Sequence, residues 1–183
     1  MKYLKLFESL ENIHDICKEY NIKNYTINSD GSIDVYGNVN LRGKNLTKLP
    51  LKFRNVSMYF DCSNNNLKNL EGGPTHVGGD FSFAGNRLTS LEYSPYHVSH
   101  NFYCTHNNIT SLEGFPTHIG GAFSCDFNPV YEIWKLFFDQ SKIELFNYYD
   151  IIRGTDIVID RLNDFLITIG KDPVKFVKGY NNI

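Results

Sequence analysis

The chain lacks a charge surplus of either sign. Eighteen Lys and Arg stand against twenty Asp and Glu, a net charge of −2, and no basic stripe runs through the sequence. Nucleic-acid binding rests on a basic face that neutralises phosphates, so no nucleic acid is expected as a partner. No apolar run approaches the roughly 20 residues of a membrane span, so no membrane partner is expected either. The opening stretch MKYLKLFESLENIHDICKEY meets acidic residues early and has no apolar segment leading to a small-residue cleavage site. It does not read as a secretory signal, and a cytoplasmic location is expected. Cysteine is scarce, with Cys17, Cys62, Cys104 and Cys125, and in a reducing compartment these stay thiols. There is no phosphate-cradling glycine loop, no G-x-S-x-G and no H-E-x-x-H. The chain is read as a non-enzyme without a cofactor.

What is present is a repeat. In steps of 21 residues, Leu46, Leu67, Leu88 and Ile109 share one column, and Leu49, Leu70, Leu91 and Leu112 another. Val39, Phe60, Phe81, Phe102 and Phe123 form a third, and Leu41, Cys62, Phe83, Cys104 and Cys125 a fourth. Val35, Val56, Val77, Val98 and Ile119 form a fifth, Asn65, Asn86, Asn107 and Asn128 a polar one, and Pro74, Pro95 and Pro116 the last. Lys44 stands where the first Asn would be. Periodicity of this kind indicates stacked structural units.

The unit's centre, F-x-C-x-x-N-x-L, matches the L-x-L-x-x-N-x-L heart of a leucine-rich repeat. Alternation along a strand points Phe60 and Cys62 inward and Asp61 outward. One short parallel strand per repeat is expected, with strands about 4.8 Å apart. A buried Asn amide both donates and accepts, so the Asn column is expected to satisfy backbone groups where the chain turns. The pair Gly78-Gly79, repeated at Gly120-Gly121 and replaced by Ser99-His100, is read as a bulge-like corner requiring either positive φ or close backbone approach.

The ends differ from the middle. Leu4, Phe7, Leu10, Ile13, Ile16 or Cys17, and Tyr20 fall at helical spacing, and Tyr25–Val35 alternates around Asp30-Gly31 like a hairpin. Beyond Asn128-Pro129 the repeat stops, and the aromatic run around Trp134, Phe137 and Phe138 has helical spacing suited to core. Thr155 is read as the N-cap of a helix from Asp156 to Ile169, with Gly170 at its end. The fold expected is one α+β domain: a helix-and-hairpin cap over 1–36, a leucine-rich-repeat-like solenoid of about five short parallel strands over 37–128, and a helical cap over 129–183.

VGGDFSFAGNRLTSLE resembles the degenerate leucine-rich-repeat proteins encoded by tailed bacteriophages, whose units read GGDFxCxxNxLTSLEGxP. The stretch INSDGSIDVYGNVNLRGKNLTKLP and the exit NPVYEIWKLF resemble the flanks of that family, so the resemblance covers most of the chain. It implies a phage origin, with action in the host cytoplasm, and little mechanism, since the family is mostly without assigned activity. A looser similarity is to the repeat half of secreted bacterial ubiquitin-ligase effectors. Their catalytic domain carries a nucleophilic cysteine, and no cysteine follows Cys125 here.

Two ladders invite chemistry. Cys62, Cys104 and Cys125 lie in one inward column with Phe83 in the gap. A row does not make the tetrahedron a metal requires, and buried thiols pack like small hydrophobes. His76, His97 and His118 form a second row, read as exposed turn residues that bond locally rather than as ligands; His100 and His106 carry no pattern.

The outward strand positions vary between copies. They are Asn38, Asn40 and Arg42; Tyr59, Asp61 and Ser63; Asp80, Ser82 and Ala84; Asn101, Tyr103 and Thr105; Ala122, Ser124 and Asp126. Tyrosine gives contact area at low entropy cost, small polar groups adapt around it, and the excess of acid disfavours phosphate. The expected role is a non-catalytic interaction module. Its open face, carried by Tyr59, Asp61, Asp80, Ser82, Asn101, Tyr103, Thr105 and Asp126, is expected to bind and modulate a host protein or peptide, with basic character favoured and a defence factor among the candidates. The alternatives are a small-ligand site or enzyme in the C-terminal part, using Trp134, Tyr148, Tyr149, Arg153 and Asp160, and an assembly protein that associates with itself.

Overall fold

The computed structural model describes the backbone of residues 2–183 and the side chains from residue 11 onward. Helix α1 (Lys2–Glu19) opens the chain. It ends where Asn21 takes φ 55° and the amides of Asn21 and Ile22 bond back to the carbonyls of Lys18 and Cys17 at 3.2 and 2.7 Å, a left-handed cap that closes the last turn. Cys17 and Ile22 are buried there. The side chains of Leu4, Phe7 and Leu10 lie outside the described residues.

Strands β1 (Tyr25–Ile27) and β2 (Ile33–Val35) form the expected hairpin. From there each repeat contributes two strands, not one. The Phe column supplies β3 (Val39–Asn40), β5 (Phe60–Asp61), β7 (Phe81–Ser82), β9 (Phe102–Tyr103) and β11 (Phe123–Ser124), a five-stranded parallel sheet. The Val column supplies β4 (Phe53–Val56), β6 (His76–Val77), β8 (His97–Val98) and β10 (His118–Ile119), which continue the hairpin into a second sheet of six strands. Register between neighbouring repeats is the sequence period itself: Phe60 opposes Phe81, Phe81 opposes Phe102, and Val77 opposes Val98. The second ladder escapes a pattern search because β6, β8 and β10 are dipeptides with one inward residue each, too short to show alternation, and β4 buries its two end residues rather than alternate ones.

The two sheets meet at the glycine corner. None of Gly78, Gly79, Gly120 and Gly121 has positive φ; close approach is the reason for glycine. A Cβ on Gly78 would lie 2.2 Å from the Ser57 carbonyl oxygen, and one on Gly120 2.1 Å from that of Ser99. Positive φ falls one residue before the Asn column instead, at Gly43, Asn64, Gly85, His106 and Phe127.

Between the sheets lies the core. Phe60, Phe81, Phe83 and Phe102 are fully buried, and successive rings of the Phe column sit 5.6–5.8 Å apart. Each such side chain contributes about 1.5–3 kcal/mol by leaving water. The Asn column ties the stack. Asn86 Oδ1 accepts the Leu67 amide at 2.9 Å, and its Nδ2 donates to the carbonyls of Cys62 and Phe83 at 3.0 and 2.9 Å. Asn65, Asn107 and Asn128 repeat the arrangement.

The C-terminal third departs from the expectation in three places. Helices α2 (Tyr131–Phe137) and α3 (Ile143–Tyr148), joined by a 3-10 turn at Gln140–Lys142, bury Trp134, Phe137 and Phe146. Phe138 is not core: it caps α2 in the left-handed conformation and is 59% exposed. Thr155 is not an N-cap. Residues 156–157 are strand β13 (Asp156–Ile157), paired with β12 (Ile152–Arg153) and with β14 (Asn181–Asn182) from the end of the chain. Helix α4 starts three residues later than expected and runs Ile159–Thr168, with no side-chain cap. The third is thus helices with a small three-stranded sheet. No helix among the described residues is long and apolar enough to cross a membrane.

Candidate functional site

The outward face of the five-stranded sheet presents Tyr59, Ser82, Tyr103 and Thr105, whose side chains make no hydrogen bond among the described residues. Tyr59 is 38% exposed. The acids and amides are already engaged. Asp80 Oδ1 accepts both the backbone amide and Nδ2 of Asn101 at 2.9 Å, and Asn101 Oδ1 in turn accepts the Ala122 amide at 2.9 Å. Asp61 Oδ1 accepts the Ser63 amide at 2.8 Å, with Arg42 3.9 Å from its other oxygen. Asp126 Oδ2 accepts the Ser124 hydroxyl at 2.9 Å. Ser63, expected outward and open, is buried and receives a 2.9 Å hydrogen bond from Arg42 Nη1. Face positions therefore divide into a polar ladder that sets the spacing and a set of free aromatic and hydroxyl groups.

At the C-terminal end of this face the structure adds two residues that the sequence reading left out. His106 follows Thr105, and Phe127 follows Asp126. Both occupy the positive-φ column, at φ 55° and 58°, and their rings stack with centroids 4.2 Å apart. Phe127 is 72% exposed. Non-glycine residues in this conformation are uncommon and cost about 1–3 kcal/mol. The available signal is that bulky residues stand in a column whose earlier members are Gly43, Asn64 and Gly85.

The histidine row lies on strands rather than in turns. His76, His97 and His118 belong to β6, β8 and β10, and their rings stack at 6.1 and 4.4 Å. His97 is partly buried, with Nε2 3.2 Å from the Ser99 hydroxyl. Face-to-face rings do not converge on a point, and no cluster of three metal-ligating residues occurs among the described residues. Cys62, Cys104 and Cys125 are buried thiols. Burial pushes Cys62 and Cys104 well above the usual thiol range and Cys125 up to about 12, which removes thiolate reactivity at neutral pH.

The C-terminal candidates are not brought together. Trp134 is buried against Phe123 and Phe137 in edge-on contacts. Tyr148 is 83% exposed, the Tyr149 hydroxyl pairs with Thr168 at 2.8 Å, and Arg153 is paired with Asp150 at 2.7 Å. Asp160 is exposed in the first turn of α4. A filled aromatic core, with Phe137, Phe146 and Phe165 at 5.3–5.6 Å, occupies the volume between the helices.

A wide concavity lies elsewhere. A groove of about 1090 Å³ follows the turns between the Leu column and the six-stranded sheet, with Leu49, Phe53, Pro74, Pro95, Tyr93, Tyr96 and Phe115 in its lining. No family model matches the chain, and no curated protein or solved structure matches it significantly.

Proposed function

We propose that the chain is a leucine-rich-repeat-like solenoid acting as a non-catalytic protein-binding module, encoded by a tailed phage and directed at a host protein in the bacterial cytoplasm. Its binding face is the outward side of the five-stranded sheet. The observation that carries this reading is the unsatisfied aromatic content at that face. Tyr59 and Tyr103 project free phenols, and the face ends in an exposed Phe127 stacked on His106 at a strained backbone. Strained, solvent-facing aromatics lower stability where they stand, and interfaces favour large rigid side chains of this kind. Parallel strands at fixed spacing hold these groups rigid, so little ordering entropy is lost on docking. Acid outnumbers base on the face, which favours a partner with basic character.

The test is affinity capture from a bacterial host lysate with the wild-type chain, Tyr59→Ala/Tyr103→Ala and Phe127→Gly. The glycine variant relieves the positive φ, so its fold is not weakened. A specific captured protein that is lost with both variants supports the reading. Capture that both variants leave unaltered, or no captured protein at all, refutes it.

A further inference from the structure

The groove along the turns has a chemistry of its own, separate from the sheet face. Its floor is apolar: Leu49, Leu51 and Phe53 are nearly fully buried beneath it. Above the floor stand two exposed phenols, Tyr93 at 52% and Tyr96 at 64%. Along one rim the sequence period places Glu71, Glu92 and Glu113 in a row, all exposed. None of the three forms an ion pair among the described residues. Their field reaches the groove, since Glu92 and Glu71 hold the Tyr93 phenol above its ordinary pKa.

Tyr93 is also a backbone outlier. In the neighbouring repeats its column is Gly72 at φ 85° and Gly114 at φ 81°; Tyr93 holds φ 64°. A glycine there would satisfy the fold without strain, so the packing does not explain the tyrosine. What it achieves is an exposed aromatic ring in the field of two carboxylates, Glu92 and Glu71. Basic side chains at this groove stand at the first-repeat end, Lys48 and Lys52, and Lys52 is paired with Asp30 at 2.8 Å. The uncompensated negative charge therefore lies toward Tyr93 and Phe115.

We propose that this groove binds an extended peptide segment of a partner protein carrying lysine or arginine at alternate positions. Repeats advance about 4.8 Å, so the three carboxylates span about 10 Å. Alternate residues of an extended chain are about 6.6 Å apart, which lets two basic side chains reach the row while the residues between them cover the floor. Tyr93 and Tyr96, both in the lining and exposed, offer aromatic rings within reach of the same cations.

The probe is a fluorescein-labelled octapeptide of alternating lysine and leucine, followed by anisotropy against the full chain. A glutamate–leucine octapeptide serves as the reversed-charge control. Saturable binding of the basic peptide alone is expected. It should weaken at least about tenfold in Glu71→Gln/Glu92→Gln/Glu113→Gln and in Tyr93→Gly. Glu144→Gln/Asp160→Asn/Asp164→Asn removes the same charge from the C-terminal helices and should leave it unchanged, as should Tyr59→Ala/Tyr103→Ala. That last comparison separates the groove from the sheet face, because the two fail independently. No saturable binding, equal binding of the acidic peptide, or equal loss in the charge-matched control overturns the proposal. So does concentration-dependent self-association abolished by the Tyr93 and glutamate variants, which would place a second copy in the groove.

Discussion

Replacing Asn107 by alanine removes three short hydrogen bonds of unequal importance, and a long one from Nδ2 at 3.4 Å to the Thr105 carbonyl, an oxygen that the Gly85 amide also reaches at 2.8 Å. Asn107 Oδ1 accepts the Leu88 amide at 3.0 Å, and Nδ2 donates to the carbonyls of Phe83 and Cys104 at 3.1 Å each. Each carbonyl has a second donor, Asn86 Nδ2 for Phe83 and Asn128 Nδ2 for Cys104, both at 2.9 Å. The Leu88 amide has no other partner among the described residues. One orphaned buried amide costs about 1–3 kcal/mol, and two bonds lost to carbonyls that keep a partner about 0.5–1 each. Asn107→Ala is thus expected to destabilise the chain by about 2–5 kcal/mol, a large share of a typical domain's 5–15. Urea unfolding followed by circular dichroism and by the fluorescence of the single tryptophan, Trp134, measures it.

Two companions make the reasoning refutable. Asn86→Ala/Asn107→Ala strips the Phe83 carbonyl of both donors, so the double variant should lose about 1–2 kcal/mol beyond the sum of the singles. Asn107→Asp keeps the acceptor for Leu88 but sets a carboxylate against two carbonyl oxygens. Its folded pKa must then lie above the unfolded value near 4. In that window the native state binds more protons than the unfolded one, so this variant gains stability as pH falls. It should be worse than alanine at pH 7 and recover toward pH 4. A loss below about 1 kcal/mol for Asn107→Ala, strict additivity, or parallel pH profiles for Asp and Ala would refute the account.

Three further outcomes follow from local geometry. Gly78→Ala should cost at least about 2–3 kcal/mol by forcing a methyl against the Ser57 carbonyl, whereas Gly37→Ala, with nothing within 4 Å, should unfold within about 0.5 kcal/mol of wild type. Asp34, in β2, accepts from Arg54 Nε at 3.0 Å, the Asn55 amide at 3.1 Å and Asn55 Nδ2 at 2.9 Å, with a second bond from Arg54 Nη2. The Arg54 guanidinium holds its carboxyl below the usual range, so its contribution is present above about pH 4 and is lost as pH falls through the depressed value. Asp34→Asn should therefore cost about 1–3 kcal/mol at pH 7 and little in acid, read from unfolding midpoints across that range. Tyr93→Gly should raise stability by about 1 kcal/mol through relief of its positive φ, measurable as a higher thermal midpoint.

Much of the stack is legible before any coordinates because packing acts on every copy alike. Val39, Phe60, Phe81, Phe102 and Phe123 must all be buried, so they repeat; Asn65, Asn86, Asn107 and Asn128 must each bridge two repeats, so they repeat as well. The hairpin at Asp30-Gly31 is legible because its turn chemistry is local. Long-range pairing is not. Thr155 carries a sound capping signal, but its own carbonyl accepts the Asn181 amide at 2.9 Å, and strand pairing with the end of the chain displaces the helix start to Ile159. The second sheet was hidden for another reason: His76–Val77 and its copies are strands only because neighbouring copies hydrogen-bond them, and a single repeat shows no alternation.

The same regularity changes where function should be sought. A column that repeats reports what the fold demands, and a position that varies on an open face is free to be merely solvated. A third class is more telling: positions where the fold demands glycine or asparagine and the chain supplies something bulky. His106 and Phe127 break the column of Gly43, Asn64 and Gly85, and Tyr93 breaks the column of Gly72 and Gly114. Drift toward stability would return these three residues to glycine, since each holds a conformation that costs about 1–3 kcal/mol while leaving its ring in water. Their rings do little for the core, so their retention has to be sought outside the monomer. If Phe127→Gly and Tyr93→Gly each stabilise the chain and each abolish a different binding event, the two surfaces are functional and separate. If either stabilises with no loss of binding, the strain at that position has no functional meaning.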